Sequence, residues 1–206
     1  MGLFARKSES APATTAPTTN TAAAADDLSH LTGDYIIDHT HSRVGFTVRH
    51  AMVTNMRGAF SEFDGRLHLD GTNPSRSTAE LVIKVASINS AQAQRDEHLL
   101  NDDFLAADKY PEITFRSTSA EAVGDDTYRM RGDLTIKGVT RPVSIDLEFN
   151  GTAIDPYGLN RVGFEGTATI NRSDWGLTYN AALETGGVLI GEKLKLTFDV
   201  SAVKAA

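Results

Sequence analysis

Six histidines are the side chains of this 206-residue chain best suited to chemistry near neutral pH. His39 and His41 stand two apart, so on a strand they would share one face and could ligate a metal from it. No third ligand follows at a supporting spacing. His30, His50, His68 and His98 are scattered, and no metal is expected. His50 ends a run in which Val44, Phe46 and Val48 alternate with Gly45, Thr47 and Arg49, so it falls on the apolar parity. There it could fix the polar head of an otherwise apolar ligand, or sit satisfied by backbone or carboxylate partners at a strand end. Both readings stay open at this level. Arg95 and Asp96 begin a helical segment. A capping or loop-fixing role suits their spacing better than acid–base work, which needs a second group across a cleft.

The remaining catalytic vocabulary is missing. There is no GxSxG nucleophile elbow, no GxGxxG dinucleotide turn, no P-loop and no HExxH, and the chain has no cysteine. These absences set the expectation of a non-enzyme without a cofactor. A net charge of −7 with no Lys/Arg block argues against a nucleic-acid partner, since that affinity rests on basic patches.

The elements that must position these residues read as strands. Leu67 and Leu69 alternate with Arg66, His68 and Asp70, and Leu81, Ile83 and Val85 continue the rhythm around Lys84. Tyr128, Met130, Leu134 and Ile136 share one parity, as do Val143, Ile145, Leu147 and Phe149, and later Leu194, Leu196, Phe198 and Val200. Such alternation is produced by a sheet with one wet and one dry face. Turn signals separate the runs at Gly71-Thr72-Asn73-Pro74, Gly124-Asp125-Asp126, Lys137-Gly138 and Asp155-Pro156-Tyr157-Gly158. One segment, residues 91–104, lacks alternation. It follows Asn89-Ser90, a plausible N-cap, and predicts a short helix or capping loop with Leu99, Leu100 and Phe104 as its buried stripe. The regular strands predict an all-β sandwich or closed barrel. Long hairpins favour an extended antiparallel barrel of about eight strands, because closure removes exposed edges. Alternation alone leaves open whether the interior is filled or hollow.

Residues 1–33 read as an Ala/Thr/Pro-rich leader with little to bury, expected to be a disordered tail ahead of a single domain at 34–206. An inert tail is expected ahead of the alternative, a tip at Leu3-Phe4 that touches a membrane or partner. Met1–Lys7 (MGLFARK) lacks the apolar stretch of a secretion signal, and no run approaches the ~18 apolar residues of a membrane span. The default location is cytoplasmic.

Four stretches resemble the YceI-like, lipocalin-like family: residues 95–118 (RDEHLLNDDFLAADKYPEITFRST), 41–60 (HSRVGFTVRHAMVTNMRGAF), 132–143 (GDLTIKGVTRPV) and 163–177 (GFEGTATINRSDWGL), with residues 188–200 agreeing as well. The resemblance implies a lipocalin-like barrel with a long apolar tunnel that binds polyisoprenoids, isoprenoid quinones or fatty-acid derivatives. On that basis the expected ligand-binding residues are Phe46, Val48, His50, Phe60, Phe63, Ile83, Leu99, Phe104, Phe115, Leu134, Phe164 and Trp175. The expected partner is an apolar lipid, with transient contact to a membrane surface and a homodimer as further expectations. Two rival functions stand beside this one: an enzyme acting on a lipid inside the barrel through His50 and a carboxylate, and a filled barrel serving protein–protein interaction.

Overall fold

The computed structural model describes residues 28–184 and 186–205, so most of the leader, including Leu3-Phe4, lies outside the described residues. In chain order the elements are β1 (Gly33–Ile37), β2 (Arg43–His50), β3 (Thr54–Phe60), β4 (Phe63–Leu69), β5 (Thr78–Lys84), β6 (Ile88–Asn89), α1 (Ala93–Leu100), β7 (Glu112–Ala122), β8 (Thr127–Ile136), β9 (Val139–Ile154), β10 (Asn160–Asn171) and β11 (Ile190–Lys204).

All strand pairings are antiparallel, and the sheet closes through β11. The C-terminal end of β11 pairs with β1 (Ala202 opposite Ile37), while its earlier part pairs with β2 (Leu196 opposite Phe46). β1 and β2 are therefore two halves of one broken strand. The same holds for β3 and β4, which pair with β2 and β1 respectively, and for β5 and β6. Counted this way the wall is an eight-stranded closed antiparallel barrel in which sequence neighbours lie side by side.

The breaks have local causes. Asp38 accepts from Thr40 N (3.0 Å) and Thr40 Oγ1 (2.6 Å), a turn that interrupts β1–β2. At the next two breaks Ser61 N donates to Ser87 O (3.2 Å) and Glu62 N donates to Ser87 Oγ (3.0 Å), so β3–β4 and β5–β6 bend together. The predicted hairpin is seen at Lys137-Gly138, whose φ values of 50° and 73° give the left-handed pair that matches strand twist. A Cβ at position 138 would lie 2.5 Å from the Tyr110 ring, so glycine is required there twice over.

The inward parity follows the sequence reading, with Val44, Phe46 and Val48 of β2 and Met130, Leu134 and Ile136 of β8 buried. Two boundaries differ from expectation. The helix is capped by Gln92, whose side chain accepts from Arg95 N at 2.5 Å, and not by Asn89 or Ser90. Asn89 and Ser90 belong instead to β6 and the bend after it, where Ser90 N donates to Asp96 at 2.8 Å. At the start of the domain, a 3₁₀ turn at Leu28–Leu31 packs onto the barrel before Asp34. Leu31 is buried and its carbonyl accepts from Tyr35 Oη at 2.8 Å.

Candidate functional site

The barrel is hollow. A cavity of about 420 Å³ runs inside the wall, within the size range of small-molecule sites. On β11 its lining extends from Ile190 to Val200, about 25 Å along the axis at ~3.3 Å per residue and a strand tilt near 40°. Leu194, Leu196, Phe198 and Val200 face inward on a fully paired strand and yet stay only partly buried, because the surface they expose is the lumen. This settles the filled-or-hollow question that alternation left open.

Two glycines help to keep the lumen open. A Cβ on Gly58 would stand 2.4 Å from Phe46 Cζ, and one on Gly132 would stand 2.5 Å from Phe115 Cε2 and Cζ. Each phenylalanine ring thus lies down over a glycine of the neighbouring strand (Phe46 opposite Gly58) instead of standing across the bore. Phe46 also meets Phe60 at a centroid distance of 5.8 Å.

The two ends differ in chemistry. At the end carrying α1, the lining includes Arg49, His50, Arg95, His98, Arg172 and Tyr179. At the other end it includes Asp70, Ser77, Thr78 and Glu80, beside Leu28 and Leu31 of the first turn. His98 packs edge-on against Phe104 (5.0 Å) and Tyr179 (5.1 Å), and its Nε2 is 3.1 Å from Asp103 Oδ2. This aromatic trio joins α1 to the segment between β10 and β11.

Arg172 is the deepest charge at this end, buried and without a carboxylate hydrogen-bond partner. Its guanidinium donates to the carbonyls of Gly191 (3.0 Å), Tyr179 (3.0 Å), Ile190 (3.5 Å) and Leu177. A charge needs such donors satisfied in a low-dielectric interior, and here they tie residues 177–191 to the wall. Nearby, hydrogen bonds from the Ser173 hydroxyl and amide, with the field of Arg172, hold the Glu192 carboxyl below its ordinary pKa. Burial raises the pKa of Tyr128, which lines the bore elsewhere.

Of the expected ligand-binding residues, Phe46, Val48, His50, Phe60, Ile83, Leu99, Phe104, Phe115, Leu134 and Phe164 line the cavity. Phe63 and Trp175 do not. Phe63 starts β4 just after the strand break and packs in the core opposite Ile83, while Trp175 is buried with its Nε1 donating to Leu134 O at 3.1 Å. His50 sits at the exposed rim of the cavity, at the end of β2. Arg95 and Asp96 do fix a loop: Arg95 Nε donates to Ser90 Oγ at 2.7 Å, and Asp96 accepts from Ser90. His41 pairs with Asp38 at 2.7 Å, and among the described residues no group of three or more His, Asp or Glu could hold a metal ion. Tyr179 and Arg172 were not singled out from the sequence, and His98 figured there only as one of the scattered histidines. For Arg172 a signal existed, since it continues the inward parity of Ala168 and Ile170.

A closed eight-stranded antiparallel barrel around an apolar bore places the chain among lipocalin-like barrels. Comparison with known proteins narrows this: the YceI-like domain matches residues 35–202, and the chain belongs to the YceI-like family. A UPF0312 protein of Pseudomonas syringae pv. tomato is 39% identical over 149 residues, covering 71% of this chain and 78% of the relative. UPF0312 protein SA2479 of Staphylococcus aureus is 38% identical over 170 residues, covering 82% and 95%. Among solved structures, BcnA of Burkholderia cenocepacia aligns with a TM-score of 0.71 at 22% identity, covering 80% of this chain and 98% of that one. A polyisoprenoid-binding domain from Saccharophagus degradans aligns with a TM-score of 0.64 at 17% identity, covering 83% and 98%. No helix among the described residues is long and apolar enough to cross a membrane.

Proposed function

We propose that this protein is a non-enzymatic carrier that encloses one elongated apolar lipid, a polyisoprenoid, isoprenoid quinone or fatty-acid derivative, and moves or shelters it. The observation that carries the reading is the open apolar bore, walled by inward side chains from successive strands and kept clear by the Phe46–Gly58 and Phe115–Gly132 pairs. The name of the S. degradans domain supports the ligand class. Burying a hydrocarbon chain stabilises the complex by about 0.8 kcal/mol per methylene before the costs of ordering it, so ten enclosed methylenes supply about 8 kcal/mol with no chemistry. The arginine and histidine groups at the α1 end support a reading in which the lipid head sits there and the tail runs toward Leu31.

The test is a titration of delipidated protein with a polyprenol, a short-chain isoprenoid quinone and a fatty acid, followed by calorimetry. Saturable uptake with a negative heat-capacity change is expected, and the lipid should be recovered chemically unchanged. Absence of uptake across all three classes refutes the carrier reading. Conversion of the lipid during incubation refutes its non-enzymatic part.

A further inference from the structure

The mouth at the α1 end carries a feature that enclosing a ligand does not require. The loop between β2 and β3 is Ala51-Met52-Val53, with Ala51 at φ 48° and Met52 at φ 63°. Left-handed backbone favours Asn or Gly, and here the positions hold Ala and Met, so an apolar tip is kept where an unstrained turn was available. Met52 is 51% and Val53 78% exposed. Ala51 N donates to Leu189 O at 2.7 Å, which fastens the loop beside the exposed Val188. Apolar side chains thus stand out at the rim of the bore, next to His50.

Charge follows the same segment. In a chain of net charge −7, the hairpin tip at residues 49–57 contains two Arg, one His and no Asp or Glu. Arg49 and Arg57 belong to the two strands that carry the loop, and Arg49 Nε braces it by donating to Met52 O at 3.2 Å. Acidic side chains share this end, with Asp103 beside His98 and Glu192 beside Ser173. An apolar tip flanked by arginines is complementary to one surface in particular: an anionic bilayer, whose acyl region accepts the tip and whose phosphates face the guanidiniums.

We propose that the β2–β3 loop is the docking face by which the tunnel mouth seats on an anionic lipid surface. The inference rests on the carrier reading for its purpose, since a water-insoluble chain passes from bilayer to bore without crossing water only if the mouth touches the bilayer. The contact itself is testable separately.

The experiment is flotation of the full chain with phosphatidylcholine vesicles, with and without a third of phosphatidylglycerol, alongside uptake of a polyprenol probe delivered either from ethanol or from the vesicles. The wild-type chain should float with the anionic vesicles and less so at high salt. The double variant M52D/V53D should partition roughly tenfold more weakly, and Arg57→Gln roughly fivefold, the equivalent of about 1 kcal/mol per cation near the surface. Both variants should melt like the wild type and take up probe from ethanol normally, while uptake from vesicles slows. Absence of flotation, or flotation that is indifferent to phosphatidylglycerol or to M52D/V53D, overturns the docking face. If the probe still enters from ethanol, the carrier reading stands alone. If vesicles bind as expected but no route delivers probe, docking stands and the carrier reading falls.

Discussion

Gly58→Ala tests whether a glycine on the wall keeps the bore open. The new methyl would stand 2.4 Å from Phe46 Cζ and 2.7 Å from Cε1, well inside van der Waals contact, with the Asn89 carbonyl at 3.1 Å closing the other direction. The ring has to move, and the free space available to it is the cavity it already lines. Overpacking of this kind costs about 1–3 kcal/mol. At ~2–4 °C per kcal/mol for a chain of this length, the melting temperature should fall by about 2–12 °C. The displaced ring also narrows the bore, so affinity for a long-chain lipid should fall more than affinity for a short one. A double-mutant cycle with Phe46→Leu isolates the cause, because without the ring the alanine should be close to neutral, helped by about 0.5 kcal/mol from lower chain entropy in the unfolded state. Calorimetric melting of the four proteins, with and without lipid, reads out both effects. If Gly58→Ala melts higher than the wild type and binds long chains unchanged, the ring does not lie on Gly58 as described.

Other consequences follow from the same structure. Leu196→Trp fills the bore from a half-buried lining position, so lipid affinity should drop at least roughly tenfold while the melting temperature changes little. Loss of fold, or unaltered binding, would contradict the placement of Leu196. Arg172→Met strands the carbonyls of Gly191, Leu177, Tyr179 and Ile190, at a cost of about 3–5 kcal/mol and at least about 6 °C in melting temperature. A near-wild-type melt would show that the 177–191 segment holds without it. Acid should destabilise the fold through Asp38 and Glu192. Hydrogen bonds from the Thr40 hydroxyl, then Arg161 and His41, hold Asp38 well below its ordinary pKa, and the Ser173 hydroxyl does the same for Glu192. Because the folded values are depressed, this stability is present above the unfolded carboxyl range near ~4 and is lost as pH falls below it. A melting-temperature profile should therefore drop below that range, and Thr40→Val should flatten the drop.

The wall was legible in the sequence, and the space inside it was not. Period-two runs such as Val143–Phe149 and the Lys137-Gly138 hairpin are local patterns, and each reappears as a strand or turn. The strand breaks at 38–42 and 61–62 were hidden because they arise from side-chain turns and from Ser87, whose role depends on β3–β4 and β5–β6 lying side by side. Hollowness depends on rings resting on glycines of adjacent strands, a relation set by register and not by spacing along the chain. The mouth is similar: His98 and Tyr179 meet only after closure, while Trp175, expected in the bore, spends its indole N–H on Leu134 O in the wall.

The most direct test of the account is native mass spectrometry of the purified full chain, followed by organic extraction and identification of whatever it carries. The account predicts an adduct near one lipid per chain, with the mass of a polyisoprenoid, isoprenoid quinone or fatty-acid derivative, lost on extraction and regained on adding that lipid back. A protein that is empty as isolated, and stays empty when offered all three classes, would contradict it.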